Sequence, residues 1–411
     1  MRQKLNRGRR SVFRKRNKAP RIIGGIVTAV AIVAVGFFGA RWINENPSTV
    51  PADTNTATTA PSTPNATTPT QTNKPTTPDT PTAPATAETV RGFYLPFSAL
   101  TSDGLTATLA AAKEAGFNAV LFDLKDAEGQ MYYQFTSATA VKVNSYAGNA
   151  LTPDGLKTLF STIRGAGLLP IPRLYAFQDN AAAKVLADAR IAHKDNAGWV
   201  WYDGKPANGA KAWLNPYADA AHSYIIDLAT ELKNAGAGAV MLDGVQFPRQ
   251  QSSANFGNGP HRALKQDEVL SLFVEKARTA LGDCPVMLTC TAESALGTAT
   301  QVYGGNPLTF GSQMASPTIL PASMATKIKV GETTVQNTPD NLQQTVQTLV
   351  NQMILRTKVL AEGKQPTIAP FLQVAGYTAA QVKQEITGCI AGGADNYILY
   401  NPNGQYDFGA Y

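Results

Sequence analysis

The side chains able to do chemistry gather at the ends of short apolar runs. Val240-Met-Leu-Asp243 closes on a carboxylate that shares its two-residue register with Ala239 and Met241. Ala119-Val-Leu-Phe-Asp123 does the same, and Asp126 and Glu128 follow at once. Glu293 lies four residues beyond Thr289, after the run Val286-Met-Leu-Thr. Arg173 stands in the apolar stretch Pro170-Ile-Pro-Arg-Leu-Tyr, where a cation is costly unless paired. Asp123 on a neighbouring strand would pair with it, and the pairing would lower the pKa of that carboxylate. Two carboxyl groups facing each other can act as acid and nucleophile, or as acid and base. Cleavage of a glycosidic bond needs them about 5–5.5 Å apart for retention and about 6.5–9.5 Å apart for inversion. Asp243 is the expected nucleophile or stabiliser. Glu293 is the expected acid, with Asp123, Asp126 and Glu128 in competition. Purely structural roles are available too. Lys125 could neutralise the Asp123–Glu128 cluster, Asp243 could bond loop amides, and Arg173 could simply hold two strands together.

Aromatic residues cluster on the segments that follow these strands. Tyr94, Tyr175, Trp201, Trp213 and Phe247, with Phe177, Trp199 and Tyr202 nearby, offer faces for stacking on sugar rings. A long loop also needs a small core of its own, which would consume two or three of them. His193, His222 and His261 show no metal-ligand spacing, so neither a metal nor an organic cofactor is expected, and a metal-dependent hydrolase is disfavoured. No Gly-x-Ser-x-Gly elbow, Walker motif or Gly-x-Gly-x-x-Gly turn occurs. Cys284 and Cys290 flank one straight strand, a poor geometry for a disulfide.

These residues need a scaffold of alternating strands and helices. Strands are expected near Gly92–Leu95, Ala119–Leu124, Leu168–Leu174, Ala239–Asp243, Pro285–Thr289, Pro317–Leu320, Thr367–Leu372 and Tyr397–Tyr400. Helices are expected over Asp103–Ala115, Pro153–Gly165, Ala218–Ala235, Leu264–Leu281, Pro339–Leu360 and Ala379–Cys389. Glu114-Ala-Gly-Phe-Asn, Arg164-Gly-Ala-Gly-Leu and Asn234-Ala-Gly-Ala-Gly each place a glycine between a helix and an apolar strand, as αβ loops require. Eight strands in some 320 residues predict an α/β fold, a (β/α)8 TIM barrel, with functional groups at the C-terminal strand ends. The stretch Gly297–Ala325 reads as an elaborated loop around a weakly marked sixth strand.

The 411 residues divide unevenly. Lys and Arg exceed Asp and Glu by 36 to 29, a formal charge of +7. Ten of the cations lie in residues 1–21, which hold no acid, whereas residues 90–411 carry 24 bases and 25 acids. A nearly neutral domain argues against a nucleic-acid partner. Ile22 to Ala40 is an uncharged apolar run of 19 residues, nearly long enough for a hydrocarbon core of about 30 Å. Its basic flank predicts a single-pass signal anchor, with a cytoplasmic tail at 1–21 and the C-terminal domain outside. Cleavage after Gly39-Ala40 would make the protein secreted instead. Residues 51–88 hold 14 Thr, 8 Pro and 7 Ala among 38 and cannot form a core, so 41–89 is expected to be a disordered linker. The barrel occupies 90–411.

Several motifs, in order along this domain, resemble a glycosyl hydrolase domain family of bacterial exported proteins, once catalogued as a domain of unknown function. Val90-Arg-Gly-Phe-Tyr is similar to its first strand. Asn118-Ala-Val-Leu-Phe-Asp-Leu-Lys-Asp-Ala-Glu-Gly resembles its N-A-V-V-x-D-V-K-D-x-x-G segment. Pro170-Ile-Pro-Arg-Leu-Tyr-Ala-Phe-Gln-Asp resembles P-I-A-R-x-x-x-F-x-D. Ala212-Trp-Leu-Asn-Pro-Tyr, Gly238-Ala-Val-Met-Leu-Asp-Gly-Val-Gln-Phe-Pro and Asn396-Tyr-Ile-Leu-Tyr-Asn-Pro resemble later elements. The resemblance implies a TIM barrel related to α-amylase-like glycosidases. It makes Asp243 the strand-four nucleophile or stabiliser, and Asp123, Asp126 and Arg173 substrate-binding or supporting groups. The chain departs from the family pattern at Thr291-Ala-Glu-Ser-Ala-Leu-Gly and Ser316-Pro-Thr-Ile-Leu-Pro-Ala-Ser. The expectation is a membrane-tethered glycoside hydrolase, favoured as a monomer, acting on an extracellular or wall polysaccharide. The alternative is a non-catalytic carbohydrate-binding or wall-organising protein on a degenerate barrel.

Overall fold

Eight parallel strands close on themselves in the computed structural model, which describes residues 89–411. They are β1 (Arg91–Tyr94), β2 (Ala119–Lys125), β3 (Leu169–Tyr175), β4 (Val240–Asp243), β5 (Val286–Thr291), β6 (Met314–Ile319), β7 (Phe371–Gln373) and β8 (Tyr397–Tyr400). Each pairs with its chain neighbours, and β8 pairs with β1 through Arg91 and Tyr397 to complete the ring. Helices α1 (Leu105–Glu114), α2 (Pro153–Gly165), α3 (Asp219–Asn234), α4 (Gln266–Leu281), α5 (Leu342–Lys358) and α6 (Ala379–Ala391) connect them. Between β5 and β6 the connection holds only a four-residue helix, Ala292–Ala295, and a 3-10 turn, Pro307–Thr309. The chain thus forms the expected TIM barrel. The proposed tail, anchor and most of the linker lie outside the described residues. Among the described residues no helix is long and apolar enough to cross a membrane.

Two-residue alternation divides the core. Ala119, Leu121, Ile171, Ala239, Met241, Met287, Phe371 and Ile398 fill the barrel interior. Val120, Phe122, Leu174, Val240, Leu242, Val286 and Leu288 face the helices. Strands buried on both faces read as the continuous apolar runs seen here. The turns into β2, β3 and β4 place Gly116, Gly167 and Gly236 at φ of +87°, +75° and +104°, a region that favours glycine.

Two strands differ from expectation. β6 begins at Met314 rather than Pro317, because Ala315 and Ser316 are small and buried rather than bulky and apolar. The seventh splits into Thr367–Ile368 and Phe371–Gln373 around Pro370, whose nitrogen cannot join the ladder. Three excursions decorate the barrel. Met131–Tyr133 turns back antiparallel on the end of β2. Ala192–His193, Asn196–Val200 and Ala254–Asn255 form a small antiparallel sheet beside the β3 and β4 loops. Lys327–Val330 and Thr333–Gln336 make a hairpin after β6.

Candidate active site

The inward register that lines the core continues upward into charge. Asp123 follows Ala119 and Leu121, Arg173 follows Ile171, and Asp243 follows Ala239 and Met241. Ladder pairing sets Asp123 beside Arg173 and Tyr175 beside Asp243. The three side chains therefore converge at the C-terminal end of the barrel.

Arg173 joins the two acids. Its Nε and Nη2 donate to Asp123 Oδ1 and Oδ2 at 2.5 and 3.0 Å, a two-point clamp. Its Nη1 donates to Asp243 Oδ2 at 3.3 Å. The guanidinium carbon lies 5.4 Å from the Tyr94 ring centre and 5.2 Å from that of Tyr175. Tyr94 donates its hydroxyl to Asp123 Oδ2 at 2.9 Å and packs its ring 5.1 Å from Tyr400. The Arg173 side chain is 8% exposed, and those of Asp123 and Asp243 are 15% and 22% exposed. Two carboxylates thus share one cation in a site that still opens to solvent.

Asp243 is the group this balance perturbs. Burial pushes its pKa above the ordinary carboxylate value, and the nearby charge of Asp123 adds to the rise. Arg173 and the Gly244 N–H oppose it. Gly244 donates to Asp243 Oδ1 at 2.7 Å from a φ of +60°, so the turn that orients the carboxylate needs glycine.

Glu293 follows β5 in the short helix Ala292–Ala295, which Thr291 caps through the Ser294 N–H. Its carboxylate is partly buried, and no hydrogen bond or ion pair holds it among the described residues. It and Asp243 both press on one neighbour, the buried Cys290 thiol. Burial first, then the charges of Asp243 and Glu293, raise the pKa of that thiol. Cys284, Cys290 and Cys389 are all free and buried.

Several expected site residues prove to have other work. Asp126 Oδ1 accepts from the Glu128 and Gln130 N–H groups, both at 2.9 Å, and its Oδ2 accepts from the Tyr132 hydroxyl at 3.0 Å. These bonds close a turn, while burial raises the Asp126 pKa above the ordinary carboxylate value. Glu128 is drawn away by Lys211 at 2.5 Å. Lys125 makes no ion pair with these acids. A register shift between Asp123 and Lys125 turns it to the outer side, where it pairs with Asp179 at 2.8 Å.

The aromatic expectation divides in the same way. Tyr94 and Tyr175 stand at the site. Trp201 and Trp213, at 2% and 4% exposure, form a separate small core with Ile191. Their indole N–H groups donate to the Ser252 carbonyl and to Asp203. Phe247 is fully buried against Tyr217 and Phe256. None of these three has a free face for a sugar ring, because the long loops use them to pack themselves. Trp199 is the exposed one, at 58%. Sequence reasoning missed Tyr400 and Cys290. Tyr400 ends β8 in the inward register of Ile398, a signal present but unused.

A family model described as "Putative glycosyl hydrolase domain" matches residues 92–406. No match is found among curated proteins. Similar solved structures include a hypothetical protein from Ruminiclostridium thermocellum ATCC 27405, at 20% identity and TM-score 0.41, covering 48% of this chain and 96% of that one. An α-galactosidase from Thermus thermophilus matches at 12% identity and TM-score 0.45, over 76% of this chain and 58% of the enzyme. The glycoside hydrolase domain of PelA from Pseudomonas aeruginosa, as a Glu-to-Ala variant, matches at 12% identity and TM-score 0.40, over 77% of this chain and 96% of that one. The chain spans little more than half the length of the α-galactosidase.

Proposed function

The chain belongs to this glycosyl hydrolase domain family, and from that premise we propose that its barrel hydrolyses glycosidic bonds in a polysaccharide by a two-carboxylate mechanism. The observation that carries the reading is the cluster of Asp123, Arg173 and Asp243 at the C-terminal strand ends, where two acids share one cation. Asp243 acts as the nucleophile or stabiliser of the anomeric carbon, held as an anion by Arg173 and the Gly244 N–H. Glu293 delivers the proton to the leaving oxygen. Its charge, like that of Asp243, acts on the Cys290 thiol, and among the described residues no hydrogen bond or ion pair holds its carboxylate. Asp123 is instead engaged by the two-point clamp of Arg173 and by the Tyr94 hydroxyl. Tyr175 and Tyr400, both partly exposed, offer the aromatic surface against which a sugar rests, whereas Tyr94 is buried.

The test is hydrolysis of a panel of wall and capsule glycans by the parent, Asp243→Asn and Glu293→Gln. The reading expects activity in the parent and its loss in both variants. A parent that binds glycan without cleaving it, with binding intact in Asp243→Asn, would instead establish the carbohydrate-binding alternative. The proposed setting is outside the cell membrane, with residues 22–40 as a retained anchor. Protease accessibility of the barrel in intact cells, and its retention in the membrane fraction, check that placement.

A further inference from the structure

Beyond the Asp123–Arg173–Asp243 cluster, four polar side chains from α3, α4 and the loop before α4 meet at one point. Asp219 and His222 lie three residues apart at the start of α3 and so share a face. His261 comes from the loop, and Lys276 from α4. One donor atom each from Asp219, His222 and His261 lies within 4.8 Å of the other two. The two imidazoles stack with centroids 5.8 Å apart and planes 7° apart. His261 Nε2 is 2.8 Å from Asp219 Oδ1. These residues are 39 positions apart along the chain at their widest histidine spacing, so no sequence motif announces them.

His222 gives the cluster its direction. The residue is 1% exposed, and its Nε2 lies 2.6 Å from the Pro216 carbonyl oxygen. That contact requires Nε2 to carry the proton, which leaves Nδ1 with a lone pair. Nδ1 is buried and has no hydrogen-bond partner among the described residues. A buried lone pair left unmatched is costly, and native structures rarely keep one without a use. An imidazole anchored to a carbonyl through one nitrogen and free at the other is how a metal-ligating histidine is held. Burial also pushes the His222 pKa down to about 4, keeping the ring neutral as a ligand must be.

A cation already stands at this point. Lys276 Nζ is 2.7 Å from Asp219 Oδ1 and 3.3 Å from His261 Nε2. Its side chain is 34% exposed, so it can swing out. We propose that Asp219, His222 and His261 form a binding site for a divalent cation of the zinc class, which enters by displacing the Lys276 ammonium. Two imidazoles and one carboxylate suit zinc and its neighbours better than magnesium or calcium. The donors would close toward about 3.3 Å, the edge of a tetrahedron with bonds of about 2.0–2.1 Å. Asp219 and His261, at 53% and 18% side-chain exposure, have room for that movement. The ion would tie the start of α3 to the loop that leaves β4, a structural link separate from the hydrolytic site.

Equilibrium dialysis of the full chain against zinc chloride tests the site, with the thermal midpoint read alongside. The parent is expected to take up one equivalent and gain thermal stability from it. Asp219→Asn and His261→Gln, both at partly exposed positions, should weaken uptake tenfold or more while keeping the parent circular dichroism spectrum. Lys276→Met should strengthen uptake by removing the competing ammonium. Equal uptake by the parent and His261→Gln would overturn the proposal. So would uptake by Lys276→Met alone, since the ammonium would then be the permanent occupant.

Discussion

Strand β2 carries two buried ion clusters on its opposite sides, and their stoichiometry separates them. On the outer side Lys125 meets Asp179 one to one, both side chains 0% exposed. Lys125 Nζ also donates to the Tyr175 carbonyl at 2.5 Å, and Asp179 caps the helix Asn180–Val185 through the Ala182 N–H. Gly129, at φ +82°, leaves room for that carboxylate, which a Cβ there would strike. On the inner side Arg173 faces two acids, Asp123 and Asp243, and the site keeps an opening to solvent. The first cluster is matched and closed, as a structural pair must be. The second holds surplus negative charge, and burial leaves Asp243 with a raised pKa. Surplus charge held in place by a scaffold is a mark of function, because stability alone would remove it. The outer pair also supports the inner one, since Lys125 anchors the backbone of Tyr175 at the end of the strand that presents Arg173.

The sharpest way to break this contrast is to remove one partner on each side. Lys125→Met strands the Asp179 carboxylate in a dry interior, and the expected cost is about 3–5 kcal/mol of folding stability, read by urea denaturation. A loss below about 1 kcal/mol would mean that Asp179 finds another donor and that the pair is not structural.

Asp243→Asn should do the opposite to stability. A carboxyl group whose pKa is raised in the fold stabilises it while protonated, and that stability is lost as pH rises through the folded value. At pH 7 the charged Asp243 therefore lowers stability relative to a neutral amide. Arg173 keeps its two-point clamp on Asp123, so the substitution leaves no stranded cation. Hydrolysis should fall about a thousandfold, on the order of 4 kcal/mol of transition-state stabilisation, while the thermal midpoint at pH 7 rises. The rise should shrink as pH falls through the carboxylate range. A lower midpoint at pH 7 would show that Asp243 is a matched structural acid like Asp179.

Asp123→Asn tests the sharing of the cation. It leaves Arg173 to Asp243 alone and removes a nearby negative charge that raises the Asp243 pKa. The pKa of Asp243 should drop, so the acidic limb of the activity profile should move to lower pH. A profile that stays in place, with activity merely reduced, would mean that Asp123 does not tune its neighbour.

How far these clusters were legible in the sequence follows from the same geometry. Asp123, Arg173 and Asp243 could be read because each prolongs the inward alternation of a buried strand, and a period of two leaves little freedom. Lys125 shares the parity of Asp123, so alternation alone sends it inward. The register shift that turns it outward leaves no trace in residue type. Asp126 is equally ambiguous until its turn closes through Gly129 and Gln130. Trp201, Trp213 and Phe247 look like a binding wall because their two loops are long. Whether an aromatic face points out is decided by packing among residues far apart in the chain, such as Trp201 and Ser252, 51 positions apart. The histidine cluster of α3 and the loop before α4 fails to show for the same reason.

The finest test of the inner cluster is Tyr94→Phe, which deletes one oxygen and keeps the ring. Tyr94 gives its hydroxyl to Asp123 Oδ2, which also takes Arg173 Nη2. Losing the hydroxyl therefore leaves no oxygen of Asp123 without a donor. The ring remains beside Tyr400 and next to the Arg173 guanidinium, so its packing and its attraction for the cation persist. The expected stability loss is about 1 kcal/mol, the net worth of one hydrogen bond. Hydrolysis should drop by less than tenfold, since Asp243, Arg173 and Glu293 are untouched. A loss as deep as that of Asp243→Asn would move Tyr94 from a support of Asp123 to a group that meets the substrate itself.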